Sequence, residues 1–277
     1  MPSGDSICLI PIGKKANKDD DPYCFLAYLN VPRIGTPNRL EEAYAFDARE
    51  AIREKAIGRK VDYVTEYMAG SKKAVCVKVE GECLASLLVS LSLAKVNERR
   101  ANTAEGGLHE QLLAIQEEVS TKGKGVWNTN ADLSANHTRQ VTYFGEGDYS
   151  ATRILAESDQ EARPLGGILE HVFGTTLVAA YVMRLKTQVK MNLVHLYTPR
   201  DTEQAIYDEG KAFIEKMLLH KSVGIKLTRV DDNNGNLVGR LHFPQGDIAA
   251  ELLKKGLAKL STPKDSEFDA DYFRELK

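Results

Sequence analysis

The sequence predicts an α+β chain, mainly β, built as two tandem five-stranded barrels with packed helices. Three observations predict it. A chain of 277 residues is long for one compact core and comfortable for two. Short β-branched runs alternate with turn signals, and a helical pattern interrupts them at a matching point in each half. QGDIAAELLKKGLAKL, residues 245–260, repeats EGECLASLLVSLSLAKV, residues 80–96. That period of about 160 residues is too long for a solenoid and suits a duplicated domain.

The elements follow in order. SICLIPIG (6–13) is apolar and β-branched, and the polar turn KKANKDDDP separates it from YCFLAYLNV (23–31), which makes a hairpin. EEAYAFDAREAIREKAIG (41–58) places Ala45, Ala48, Ile52, Ala56 and Ile57 at helical spacing, with Gly58 as a stop. KVDYVTEY and KAVCVKVEG read as two strands around AGSK, followed by a helix at CLASLLVSL and the short segment SLAKV. An amphipathic helix, LHEQLLAIQEEVSTK, ends in GKGVW. In the second half a variable segment, 137–166, contains a strand at QVTYF, and the strands GILEHVF, TLVAAYVM and QVKMNLVHLY come after it. A helix at TEQAIYDEGKAFIEKMLL leads to the hairpin VGIKLTRV and NLVGRLHF, whose DNNG turn carries the Asn-Gly pair favoured in tight connections. The expected domains are 1–128 and 129–277, the second with an N-terminal extension. One helix before the fourth strand and others after the fifth suit a Greek-key barrel of the OB type. That fold holds oligonucleotides, oligosaccharides or neither, so it does not settle function.

Composition fits a folded chain and excludes a bilayer-spanning helix, because no apolar run is long enough. The N-terminal MPSGDSICLIPIGKK does not read as a secretory signal, so a cytoplasmic, and also nuclear, location is expected. Cys8, Cys24, Cys76 and Cys83 lack zinc-site or CxxC spacing and read as reduced core thiols. The net charge is -2, with 18 basic against 18 acidic residues up to 128 and 19 against 21 after it. Any nucleic-acid binding must therefore use local basic patches.

The run AFDAREAIREKAIGRKV, the segment LVSLSLAKV, LHEQLLAIQEEVSTKGKGVW and the later ELLKKGLAKL resemble staphylococcal nuclease domains. The strand ends LNVP (29–32) and LYTP (196–199) are similar to the family's strand-to-loop junction at the active site. Tandem copies with this linker resemble the Tudor staphylococcal nuclease family, and the loop before AYAFDARE points to its third and fourth repeats. On that resemblance the second unit stops at DSEFDADYFRELK, inside what should be its closing helix, and the whole protein would carry further repeats and a Tudor domain. The family's role would be an RNA-binding factor of transcriptional coactivation, splicing, RNA-induced silencing and decay of edited double-stranded RNA.

The parent site needs aspartates for calcium, a glutamate to activate water and two arginines to neutralise the phosphate. By resemblance Asp5 keeps the first aspartate. Asn30 stands for the second, Val31 for a threonine, Arg33 for the glutamate, Phe25 for one arginine and Lys72 for the other. Arginine cannot accept a proton at neutral pH, so Arg33 excludes that water activation. In the second half Thr175, Tyr197, Arg200, Asn192 and Asn236 occupy the five positions, with no acid among them. No catalytic residue is therefore assigned, Asp5, Asn30 and Lys72 being vestiges. No cofactor is called for, and calcium is not expected.

Arg33 and Arg200 each follow the proline of NVPR and YTPR. A cation there meets a phosphate where a base once met water, unless it is a surface arginine paired with Glu41 or Asp201. Lys72, Lys73, Arg99, Arg100 and Tyr197 complete the expected nucleic-acid contacts; Lys122, Lys124, Lys186 and Lys190 are further basic candidates. Tyr28, Phe46, Tyr63 and Phe213 read as core, Trp127 as an anchor for the long helix, and His195 and His242 as structural strand residues. Three readings stay open. The first is a scaffold binding double-stranded or structured RNA on a basic concave surface. The second is a retained endoribonuclease, and the third a module for protein partners of silencing, splicing or transcription complexes.

Overall fold

The computed structural model describes residues 3–13, 23–100, 106–147, 149–158, 163–198 and 203–261. The chain divides into two compact units, Met1–Gln140 and Val141–Lys277. It is an α+β structure, mainly β, with seven α-helices among the described residues.

The first unit contains β1 (Ser6–Cys8), β2 (Tyr23–Leu26), β3 (Leu29–Asn30), α1 (Ala45–Ala56), β4 (Asp62–Ala69) and β5 (Lys72–Val79). β6 (Glu82–Cys83), α2 (Leu84–Ser90), β7 (Lys95–Val96), α3 (Leu108–Ser120) and α4 (Ala131–Asn136) follow. Its sheet runs β1-β2-β5-β4, with β6 on β5. Ala45, Ala48, Ile52 and Ala56 of α1 are buried because they recur every three or four residues along one face. Ala48 and Ile52 join Leu84, Leu88 and Leu112 of α2 and α3 over the sheet.

The second unit contains α5 (Ala151–Ser158), β8 (Leu165–Val172), β9 (Leu177–Val182), β10 (Thr187–Leu193), β11 (Leu196–Tyr197) and α6 (Gln204–Leu218). β12 (Ser222–Val230), β13 (Leu237–Phe243), β14 (Gly246–Asp247), α7 (Ile248–Lys254) and β15 (Lys259–Leu260) complete it. β10-β9-β8-β12-β13 closes on itself through a parallel β10–β13 pairing. This is the five-stranded OB barrel, filled by Leu169, Val189, Met191, Ile225, Leu237 and Leu241.

The duplication is visible in register. β2 pairs β5 in parallel as β10 pairs β13. β4 and β12 each carry a bulge, between Thr65 and Tyr67 and between Leu227 and Arg229, and bulges are designed features that persist within a fold. Phe25 faces Ser6 as Asn192 faces Leu177, which makes β1 the counterpart of β9. Among the described residues the first unit has no counterpart of β8, so it shows four barrel strands where five are expected.

Other expectations change locally. SICLIPIG is a strand only to Cys8, and Ile10 and Ile12 are exposed. QVTYF is reduced to a single bridge, Thr142 to Thr187. His195 lies in a turn between β10 and β11 with φ 58°. Residues 129–140, beyond the expected boundary at 128, lie in the first unit. There Tyr44 N–H donates to His137 O at 2.9 Å, and Arg139 clasps the buried Glu41 with Nε and Nη2 at 2.9 and 2.6 Å. The turn 14–22 and the final residues 262–277 lie outside the described residues.

Candidate nucleic-acid interface

In the first unit Phe25 and Lys72 lie on the neighbouring strands β2 and β5, and Asp5 lies in the loop before β1, which pairs with β2. The Ser3–Asp5 loop enters β1, and Leu26 N–H donates to Asp5 O at 2.7 Å. Gly4 is required by close packing: a Cβ there would lie 2.9 Å from Ala48 Cβ and 3.0 Å from Val31 Cγ1. The Asp5 carboxylate is bound by Ser3 Oγ, which also lies 2.8 Å from Ser6 Oγ. Tyr28 has φ 62° and is buried, and this αL turn carries the chain from β2 into β3. Asn30 is then exposed opposite Lys95.

Lys72 Nζ sits 6.0 Å from the Phe25 ring centre and 5.7 Å from that of Tyr23. The two positions that held arginines in the parent thus meet here as a cation on an aromatic face. Arg33 is held by its backbone: its N–H donates to Glu42 Oε2 at 2.8 Å, and its carbonyl accepts from Glu42 N–H at 3.0 Å. Its side chain is exposed and unpaired among the described residues. Glu41, expected as its partner, is committed to Arg139. Lys73 and Arg99 are exposed. The Arg100 side chain, Arg200 and Asp201 lie outside the described residues.

The donor set does not fit calcium. Hard divalent ions take six to eight oxygen ligands, several of them carboxylate, and the residues at Asp5, Asn30 and Arg33 offer one carboxylate, one amide and one guanidinium. Among the described residues no group of three or more acidic, histidine or cysteine side chains is placed to hold a metal.

The second unit is further from catalysis. Thr175 is fully buried and donates from Oγ1 to Tyr207 O at 2.8 Å. Thr176, not Thr175, is the register counterpart of Asp5, since its carbonyl accepts from Leu193 N–H at 2.8 Å. Asn192 Nδ2 donates to Asp231 Oδ2 at 3.4 Å, and Asn236 O accepts from Asp231 N–H at 2.8 Å. An acid therefore stands where the parent gathers phosphate-binding cations. Tyr197 is 54% exposed, available for stacking.

Several clusters were invisible in the sequence because their members are far apart in it. Lys190 Nζ lies 5.6 and 5.4 Å from the rings of Phe144 and Phe173. His137 stacks on Tyr44 at 4.3 Å and binds Asp47 Oδ2 through Nδ1 at 2.7 Å, beside an open cavity of about 470 Å³. Tyr63, expected in the core, is 49% exposed. Lys122 pairs with Glu118 at 3.0 Å, and Trp127 is half-buried under Lys95 Nζ at 4.6 Å.

Comparison with known proteins agrees with this architecture. Residues 185–276 match the family model described as staphylococcal nuclease homologue. The chain is 25% identical to Staphylococcal nuclease domain-containing protein 1 of Drosophila melanogaster over 82% of this chain and 25% of that protein. It is 24% identical to Ribonuclease TUDOR 2 of Arabidopsis thaliana over 99% of this chain and 34% of that protein. Staphylococcal nuclease domain-containing protein 1 of Schizosaccharomyces pombe gives 25% over 99% and 32%. The chain is similar along nearly its whole length to these staphylococcal nuclease domain and Tudor ribonuclease proteins. It spans about a third or less of the length of these relatives. The second unit keeps the five-stranded barrel, and the sequence carries Arg33 and Arg200 where the resemblance implies a water-activating acid.

Proposed function

We propose that this chain is an RNA-binding scaffold module whose degenerate nuclease sites hold the phosphodiester backbone without cutting it. The observation that carries the reading is Arg33. It stands where the parent keeps its general base, is anchored through its backbone by Glu42, and extends an exposed guanidinium. Lys72, Lys73 and Arg99 add cations in the same unit, and Arg100, Arg200 and Tyr197 are assigned to RNA by their sequence positions. Double-stranded or structured RNA suits such contacts, because A-form helices are recognised largely through backbone and shape. Protein partners of silencing, splicing or transcription complexes, and a cytoplasmic and nuclear location, follow from the family reading.

A second reading, endoribonuclease, draws on the retained Asp5 and on the ribonuclease name of the Arabidopsis thaliana relative. It requires another route to an activated water. The test is fluorescence anisotropy of a short labelled double-stranded RNA with wild type and Arg33→Glu. The scaffold reading expects about a tenfold loss of affinity, or ~1.4 kcal/mol, with the RNA intact on a gel. Unchanged affinity in Arg33→Glu sinks the assignment of Arg33, and cleavage abolished by Asp5→Ala replaces the scaffold by the enzyme.

A further inference from the structure

Cys76 and Cys83 lie on one hairpin of the first unit. Cys83 is opposite Lys78 in the β5–β6 pairing, and Cys76 precedes Lys78 by two residues, so both side chains share a face. Their sulfurs are 3.6 Å apart. Cys76 is buried, 8% exposed, while Cys83 is partly open to solvent. A disulfide requires about 2.05 Å between sulfurs, a closure within reach of side-chain rotation.

We propose that Cys76 and Cys83 form a redox-active dithiol, which a hydroperoxide oxidises to an intramolecular disulfide through attack by the Cys83 sulfur. The chemistry divides the two thiols into distinct roles. Either thiol can donate in the shared hydrogen bond; with the more buried Cys76 keeping the proton, the bond lowers the Cys83 pKa to about 5 against the opposing effect of burial. Ser86 and Ala85 lend smaller support without closing a capping hydrogen bond. The same shared hydrogen bond, together with burial, raises Cys76, so Cys76 waits as the resolving thiol. Thiolates, not thiols, attack peroxides, and such a pair matches an attacking cysteine beside its resolver.

The steps balance. The Cys83 thiolate attacks one peroxide oxygen, the O–O bond breaks, and Cys83 becomes a sulfenic acid while the other oxygen leaves and takes up a proton as an alcohol, or as water from hydrogen peroxide. Cys76 then gives up its proton and attacks the Cys83 sulfur. The S–S bond forms, and hydroxide leaves with that proton as water. Two thiols lose two electrons and two protons to the peroxide bond.

The test uses the full chain, reduced, exposed to hydrogen peroxide, blocked with N-ethylmaleimide and mapped by mass spectrometry. Trypsin cuts after Lys78, between the two cysteines, so the disulfide appears as two linked peptides that dithiothreitol separates. The proposal expects this link in wild type. It also expects dimedone to trap a sulfenic acid on Cys83 in Cys76→Ser, and Cys76 to stay unmodified at the same dose in Cys83→Ser. A wild-type map lacking the link, or one in which only Cys8 and Cys24 react, overturns it without reliance on any variant's folding. Dimedone capture at Cys76 in Cys83→Ser at the wild-type rate reverses the assigned roles.

Discussion

Arg139 closes on Glu41 with two guanidinium nitrogens and lies 3.7 Å above the Phe46 ring. The Glu41 side chain is 1% exposed, and removing one partner of a buried pair leaves an uncompensated charge. Glu41→Ala is therefore expected to destabilise the first unit by ~3 kcal/mol, read by urea denaturation; a loss below ~1 kcal/mol would mean the pair is no better than a surface bridge. A second residue-scale prediction concerns pH. An ordinary thiol loses its nucleophilic form below about pH 8.5, whereas Cys83, lowered to about 5, stays a thiolate through neutrality. Its iodoacetamide alkylation should hold its rate from about pH 8 to pH 6 and fall as pH drops through about 5. A rate falling tenfold per unit below pH 8 contradicts this. Neither Glu41–Arg139 nor Cys76–Cys83 was legible in the sequence. Glu41 stands close in sequence to Arg33 and was matched with it, and the two cysteines show no motif spacing because a strand turn, not a loop motif, brings them together.

At the scale of elements, the two barrels provide a matched experiment. Tyr63 of β4 faces Val77 as Ile225 of β12 faces Leu241, so the two occupy the same barrel position. Ile225 is fully buried because β8 closes the barrel beside it; its residue pairs with Leu165. Tyr63 is 49% exposed. Ile225→Ala should cost about 2–5 kcal/mol, and Tyr63→Ala under about 1.5, in proportion to the area each loses. Equal costs would show that the first unit buries this position after all. The strands and helices themselves were largely legible, since α1, α3, α6 and the β12–β13 hairpin follow from periodicity and from the Asn-Gly turn. What periodicity could not supply was register. The resemblance put Thr175 at the first aspartate's position where pairing places Thr176, because a one-residue slip changes no residue type there.

At the scale of the whole molecule, a net charge of -2 gives no long-range attraction for RNA, so binding must rest on a few local contacts. Affinity should then fall with salt, with a slope set by the number of phosphates engaged. The family resemblance was legible from LNVP, LYTP and the repeated helix segment, but Arg200 and its neighbours lie outside the described residues, which leaves Arg33 as the described member of the pair proposed to bind phosphate. The measurement that tests the central claim most directly is a salt series of double-stranded RNA binding to wild type and Arg33→Glu/Arg200→Glu, with calcium or chelator and a gel of the RNA afterwards. The account predicts steeply salt-dependent binding in wild type, a slope lowered by about two in the double variant, one per lost phosphate contact, and intact RNA under every condition. Binding indifferent to salt and to both substitutions, or fragments that appear with calcium, would contradict it.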